Sequence, residues 1–166
     1  MIIMDAIRID ALLDQMSAGI NHLFAQQPEP IIVGIHTGGF WLAEALQRRL
    51  GLTEPVGSLD ISYYRDDLAQ AGLQPCAKPS SLPALDERHV LLVDDVLYTG
   101  RTIRAAMNEL FDYGRPTSIR LAVLIQRTGR QLPICADVVG EHLHPQPSER
   151  LKLSGPDPLA LHLIHA

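Results

Sequence analysis

Residues Val90–Thr102 read VLLVDDVLYTGRT, an apolar run that leads through two carboxylates into a Thr-Gly-Arg-Thr turn. The run Val90–Val93 is short, partly β-branched and apolar throughout, which is typical of a strand buried on both faces of a parallel sheet. After the turn, apolar residues recur at helical spacing and predict a helix from Thr102 to Tyr113. The stretch is therefore predicted to join a buried strand to a helix.

The same order of strand and helix recurs on both sides of this stretch. Ile31–Ile35 reads as another buried strand, followed by the turn His36–Gly39 and a helix that ends at Leu50 before Gly51. The flanking segments predict a helix at Asp5–Gln26 and strands at Pro55–Ser62, Ser118–Ile125 and Leu159–Leu163. This alternation predicts one α/β domain over residues 1–166, with a mainly parallel sheet flanked by helices and a ligand site at the carboxyl ends of the strands.

Composition narrows the class of protein. The chain has 166 residues, 46% of them hydrophobic, and a net charge of −5. It contains no apolar run of membrane-spanning length and no secretory signal, so we expect a cytoplasmic protein without a membrane partner. This negative net charge argues against binding of nucleic acid through the overall charge of the protein. Cys76 and Cys135 lack metal-ligand spacing and are given no role.

The acidic pair and the turn that follows it predict a particular ligand. Asp94 and Asp95 end the predicted strand, where two adjacent carboxylates repel each other unless a ligand offers hydroxyl donors or a metal. Thr99–Thr102 places hydroxyls and a glycine at a helix start, where free N–H groups and the helix dipole favour an anion. Acceptors for a sugar diol beside donors for a phosphate predict a site for a phosphorylated ribose.

The acidic pair and the turn also have simpler interpretations. Taken separately, an acidic pair is often a solvated turn, and a Thr or Asp is often only a helix cap. A P-loop would need Lys after its glycine, but Gly100 precedes Arg101. A phosphoacceptor receiver would need a Lys at a later strand end, and neither Lys78 nor Lys152 is in such a position.

Two further segments are candidates for the same site. His36, Thr37, Gly38 and Gly39 follow a buried run with small residues whose amides can approach an anion, although a plain βα turn would look the same. The long polar stretch from about 63 to 89 predicts a flexible lid loop. It opens with Tyr64, Arg65, Asp66 and Asp67, and Arg65 is the candidate that a closing lid would bring onto the ligand.

The full string Val90–Thr102 resembles the 13-residue phosphoribosyl diphosphate signature of the type I phosphoribosyltransferases. Over about Ile7–Leu163 the chain is more closely similar to one family among them, the PyrR family of pyrimidine-operon attenuators that are also uracil phosphoribosyltransferases. Beyond the signature, the segments that carry this likeness are Tyr64–Asp67, Gly114–Pro116, Leu121–Leu124, Leu132–Ile134, Ala136–Asp137 and Gly140.

The resemblance implies the type I phosphoribosyltransferase fold, with a small hood at about 125–153 over the base. It implies 5-phosphoribosyl 1-diphosphate (PRPP) and uracil as substrates and Mg²⁺ as cofactor, held through diphosphate and ribose rather than by direct protein ligands. Asp94 and Asp95 would hold the ribose hydroxyls, Thr99, Gly100, Arg101 and Thr102 the 5′-phosphate, and His36–Gly39 the diphosphate. The residues expected in the base hood are Gln126, Arg127, Asp137, Val139 and Gly140.

The resemblance also implies a homo-oligomer and a pyrimidine-operon mRNA leader as a further partner. Two departures keep alternatives open. Gln126-Arg127-Thr128 stands where the family shows Asp-Arg-Gly, which is a little like hypoxanthine-guanine enzymes, and His36 stands where a basic Arg or Lys is usual. The alternatives are a regulator with little catalysis and a purine phosphoribosyltransferase. Scattered arginines such as Arg8, Arg48 and Arg49 are the candidates for an RNA surface.

Overall fold

The computed structural model describes residues 1–61 and 80–165. Its elements, in chain order, are β1 (Ile2–Met4), α1 (Ala6–Leu23), β2 (Ile31–Ile35), α2 (Gly38–Leu50), β3 (Gly57–Leu59), β4 (His89–Leu97), α3 (Arg101–Tyr113), β5 (Ser118–Arg127), β6 (Val138–Leu143), β7 (Glu149–Ser154) and β8 (Ala160–His165). None of the helices in these residues is long and apolar enough to cross a bilayer.

A parallel sheet with the strand order β3-β2-β4-β5-β6 forms the centre of the fold. Its central strand β4 alternates its side chains between two apolar clusters. Leu91 and Val93 pack with residues of α1 and α2 on one face, whereas Val90 and Leu92 pack with residues of α3 on the other. The prediction of a mainly parallel sheet flanked by helices is confirmed.

A second, antiparallel sheet with the order β1-β8-β7 forms the small sheet of the fold. Leu161 of β8 pairs with Met4 and Leu153, and all three residues are buried in the core cluster that also contains Leu91. Within the range of about 125–153 that was predicted as the hood, β6 pairs in parallel with β5 and extends the main sheet. The small sheet takes in residues 2–4 and 149–165, and it overlaps the predicted hood range at 149–153.

Strand β4 is longer than the predicted Val90–Val93. Its pairing with β5 continues through Asp94, Val96 and Leu97, so the acidic pair lies within the strand rather than after it. In contrast, β3 covers only part of the predicted strand Pro55–Ser62, of which Ser62 is outside the described residues. Helix α2 begins at Gly38, so both glycines of the His36–Gly39 turn belong to its first turn.

Candidate active site

A cleft of about 860 Å³ opens at the carboxyl end of β4, between the two sheets. Ligand sites are commonly of this size and occur at this edge of a parallel sheet. One wall comes from the predicted signature: Asp94, Asp95, Tyr98, Thr99, Arg101 and Thr102. The opposite wall comes from the small sheet: Glu149, Arg150, Leu151, Lys152 and Ile164.

The two carboxylates of the signature are held by the backbone of their own strand. Asp94 is 4% exposed, and its Oδ1 accepts a hydrogen bond of 2.9 Å from the N–H of Asp95. Asp95 is partly exposed, and its Oδ1 accepts one of 2.8 Å from the N–H of Val96. Both side chains line the cleft. Their negative charge at the cleft wall favours a ligand that brings hydroxyl donors.

The start of α3 lies directly beside the acidic pair. Gly100 precedes the helix with φ +93°, a conformation that glycine adopts without strain. The N–H of Arg101 donates to Thr99 Oγ1 at 3.2 Å, and the N–H of Arg104 donates to the carbonyl of Gly100 at 3.0 Å. Gly100, the N-cap residue, makes no side-chain cap hydrogen bond. The arrangement therefore suits an anion that accepts hydrogen bonds from the amides of the first turn.

The turn His36–Gly39 brings the start of α2 against the acidic pair. A Cβ atom on Gly38 would lie 2.6 Å from Asp95 Oδ2, and one on Gly39 would lie 2.5 Å from the carbonyl oxygen of Val93. Only residues without a side chain allow this close approach. Thr37 is exposed, while the ring of His36 stacks on that of Phe40 with 5.0 Å between centroids. Two helix starts therefore converge on the carboxylates.

The residues predicted for the base hood do not all reach the cleft. Gln126 pairs with Leu97 near the carboxyl end of β5, and Arg127 lines the cleft. Asp137 lies at the amino end of β6 instead, where it accepts hydrogen bonds from the N–H of Leu121 at 2.8 Å and from Arg120 at 3.2 Å.

Two more predicted hood residues lie in the body of the main sheet. Val139 packs in the apolar cluster, and a Cβ on Gly140 would lie 2.6 Å from the carbonyl oxygen of Leu124. The structure thus places Asp137, Val139 and Gly140 away from the cleft, because β6 is a strand of the main sheet. The predicted lid residues Tyr64, Arg65, Asp66 and Asp67 lie outside the described residues.

The predicted hood range of about 125–153 includes the β7 residues that line the cleft, but none of them was predicted individually. The alternation of Leu151 and Leu153 with Arg150 and Lys152 is the period-2 pattern of a half-buried strand, and it was the available signal. Ile164 and Tyr98 also line the cleft, and neither was predicted to have a role there.

Comparison with known proteins places this cleft in a family. The family model of the phosphoribosyl transferase domain matches residues 4–144. The bifunctional protein PyrR of Nitrosococcus oceani is 54% identical over 159 residues, which cover 93% of this chain and 90% of that protein. The chain belongs to the PyrR family of phosphoribosyltransferases. The bifunctional protein PyrR of Pseudomonas aeruginosa is 55% identical over 153 residues, covering 90% of each chain.

Solved structures agree with this membership at the level of the fold. A hypoxanthine-guanine phosphoribosyltransferase from Bacillus anthracis superposes with a TM-score of 0.72 at 17% identity, covering 91% of this chain and 86% of that one. A Trypanosoma cruzi hypoxanthine phosphoribosyltransferase gives 0.71 at 21% identity, covering 90% and 80%. The family, the type I phosphoribosyltransferase fold and the phosphoribosyltransferase activity expected from the sequence are confirmed.

Proposed function

We propose that this PyrR-family protein is a uracil phosphoribosyltransferase, which forms UMP and diphosphate from uracil and PRPP. The observation that carries the proposal is that Asp94, Asp95 and the start of α3 share one wall of a single cleft. Hydrogen-bond acceptors for the hydroxyls of a sugar therefore lie next to hydrogen-bond donors for its phosphate. The chain is also more than half identical to PyrR proteins over about nine-tenths of its length.

Each part of PRPP has a proposed binding site in the cleft. Asp94 and Asp95 bind the ribose hydroxyls, and Thr99–Thr102 binds the 5′-phosphate through amides and hydroxyls. The turn His36–Gly39 binds the diphosphate, since the start of α2 lies against Asp95. Arg65, with Tyr64, Asp66 and Asp67, belongs to a lid that covers the diphosphate in this proposal.

The residues of this cleft fit Mg²⁺ as the cofactor. A hard cation prefers oxygen ligands and keeps several waters, and the carboxylates of Asp94 and Asp95 are oxygen donors on the cleft wall. In the proposal these two residues hold the ion through the ribose hydroxyls and the diphosphate. When bound, Mg²⁺ neutralises part of the charge that collects on the departing diphosphate.

Positioning and charge are the main contributions of the chain to the reaction. As the bond from ribose to diphosphate loosens, the sugar gains oxocarbenium character, which the nearby carboxylates stabilise. The helix starts fix both phosphate ends, so that the base meets the anomeric carbon in the reactive orientation. Closure of a lid would keep water from competing with the base.

The base is proposed to lie on the small-sheet side of the cleft, near Gln126, Arg127 and the β7 wall. Uracil is preferred to a purine because PyrR proteins are 54% and 55% identical to this chain, whereas the purine enzymes, at 17% and 21% identity, are similar in fold alone. Diphosphate release assayed with uracil, hypoxanthine, guanine and orotate side by side tests this choice. A higher rate with either purine base would contradict it.

The role of the acidic pair is tested with Asp95→Asn. Asn keeps the size of the side chain and an oxygen that can accept from the N–H of Val96, but it removes the charge. We expect uracil-dependent diphosphate release to fall by about two orders of magnitude while the unfolding temperature stays unchanged. Asp112→Asn, an exposed carboxyl near the end of α3, is the matched control. Full activity in Asp95→Asn would mean that the acids are wrongly assigned.

A second proposed function is UMP-responsive binding to a pyrimidine-operon mRNA leader. It is favoured by the name of the relatives, which are called bifunctional. A cytoplasmic location and a homo-oligomeric assembly are proposed with it from the family resemblance. The two functions are compatible, since UMP is the product of the first and the ligand of the second.

A further inference from the structure

The segment Arg127–Ile134, here called the clamp, packs against the loop that leads into α3. The N–H groups of Gln131 and Leu132 both donate to the carbonyl of Thr99, each at 3.0 Å. A Cβ on Gly100 would lie 3.3 Å from Cβ of Leu132. The clamp therefore holds the backbone just before α3, at the proposed phosphate site, by hydrogen bonds that come from outside the helix.

Tyr98 is the side chain that links the clamp to the cleft. The guanidinium carbon of Arg127 lies 4.0 Å from the centroid of the Tyr98 ring, a cation–π contact. The ring also contacts Gly129, where a Cβ would lie 2.3 Å from Cε2 of Tyr98. Gly129 has φ +115°, so an alanine there would be both strained and in collision with the ring.

Arg127 joins this ring to the opposite wall of the cleft. Its side chain is buried, at 7% exposure, and its Nη1 donates to the carbonyl of Glu149, the first residue of β7, at 2.8 Å. Among the described residues its Nε has no hydrogen-bond partner, and its guanidinium forms no ion pair. A buried charge held only by a ring face and a carbonyl is costly, so its presence calls for an explanation such as a role at the site.

We propose that Arg127 and Gly129 are positioning residues that hold Tyr98, and through it the 5′-phosphate loop, in register with β7. Binding of the phosphoribosyl group and binding of the base are then coupled. Arg127 contacts both Tyr98, which precedes the phosphate loop, and Glu149 of β7, which belongs to the proposed base wall. The inference rests on the proposed function, since it assigns the phosphate seat to Thr99–Thr102. It does not require Arg127 to touch the substrate.

Gly129→Ala tests the inference without altering a residue that lines the cleft. The new methyl group displaces the Tyr98 ring, and we expect KM for PRPP to rise by about tenfold, the equivalent of about 1.4 kcal/mol and comparable to a partly buried cation–π contact. KM for uracil should rise as well, with a smaller change in kcat. Gly51→Ala is the matched control, because Gly51 also has positive φ, +66°, but nothing lies within 4 Å of its Cβ position.

Both alanine variants are strained, so both can lower the unfolding temperature, but only Gly129→Ala should change KM. Equal KM values in the two variants and the wild type would overturn the inference. If Gly129→Ala does not fold, Tyr98→Leu and Tyr98→Phe replace it: Phe keeps the ring that Arg127 covers and should retain more PRPP affinity than Leu. Equal affinities in those two variants would also overturn it.

A double-mutant cycle with Arg127→Met and Tyr98→Leu separates positioning from general destabilisation. If the two residues act as a pair, the KM effects for PRPP are strongly non-additive, with the double variant close to either single one. Additive effects would overturn the inference. The proposed function fails in a distinguishable way, because in that case the wild-type protein itself releases no diphosphate with PRPP and uracil.

Discussion

At the scale of the residue, Gly38 sets how close the diphosphate seat can lie to the acidic pair. A Cβ at this position would lie 2.6 Å from Asp95 Oδ2, so Gly38→Ala must displace that carboxylate. A displacement of about 1 Å at a reacting centre can cost about 100-fold in rate, and we expect a loss of kcat/KM of that order. The fold should survive, because Gly38 begins a helix and the contact is with a side chain. Steady-state kinetics and thermal unfolding of the same preparation check this prediction.

Gly19→Ala is the control for this substitution. It lies in α1, and its Cβ would meet Val138 at an ordinary 3.5 Å. It should raise the free energy of unfolding by about 0.5–1 kcal/mol, since alanine is the better helix former, and leave kcat/KM unchanged. If Gly38→Ala kept the activity of Gly19→Ala, the diphosphate seat would have to be sought elsewhere.

Residues that are neighbours in the chain could be assigned from sequence alone. The structure places Asp94, Asp95 and Thr99–Thr102 on one wall, because they belong to one continuous strand, turn and helix start. The order of these three elements can be predicted from the sequence. Asp137 and Gly140 could not be placed in this way. Their position depends on the pairing of β6 with β5. Pairing between separate segments of the chain cannot be predicted from the local sequence pattern of either segment.

At the scale of the element, the small sheet is anchored to the core through β8. Leu161 is fully buried between Met4 and Leu153, so Leu161→Ala should lower the free energy of unfolding by about 2–4 kcal/mol. Ile164, on the same strand, is 41% exposed and lines the cleft. Ile164→Ala should cost less than about 1 kcal/mol. Chemical denaturation of both variants measures the difference, and equal losses would mean that β8 is not an anchor.

Two strands that the sequence predicted poorly, β1 and β3, are very short. β1 has three residues, too few for a periodicity, and it is defined by pairing with β8 at the far end of the chain. β3 likewise has three residues, within the longer stretch Pro55–Ser62 that was predicted as a strand. The longer β4 and β5, and the helices α1 and α2, were predicted with errors confined to their ends, because their apolar patterns span several turns or a fully buried run.

At the scale of the whole molecule, the net charge of −5 is accompanied by local pairing of several arginines. Arg8 contacts Glu141, and Arg49 contacts Asp10 and Asp14. Burial lowers the pKa of Arg49, but hydrogen bonds and charges from Asp14 and Asp10 raise it by more, so the net pKa lies above its ordinary value. Two of the three arginines suggested for an RNA surface are therefore charged but already neutralised by neighbours.

This pairing leads to a prediction for the proposed regulatory function. If Arg8 and Arg49 stay paired, only Arg48 of these three can neutralise an RNA phosphate, and it should contribute about −0.7 to the slope of the logarithm of affinity against the logarithm of salt. Binding to a pyrimidine-operon leader should then be strengthened by UMP, and the slope should become shallower by about 0.7 in Arg48→Gln but stay unchanged in Arg8→Gln and Arg49→Gln. Gel shifts against a shuffled RNA of equal length measure both effects. A shallower slope in Arg8→Gln or Arg49→Gln would mean that these arginines exchange their carboxylates for phosphates, whereas no shift at low salt would leave catalysis as the function of this chain.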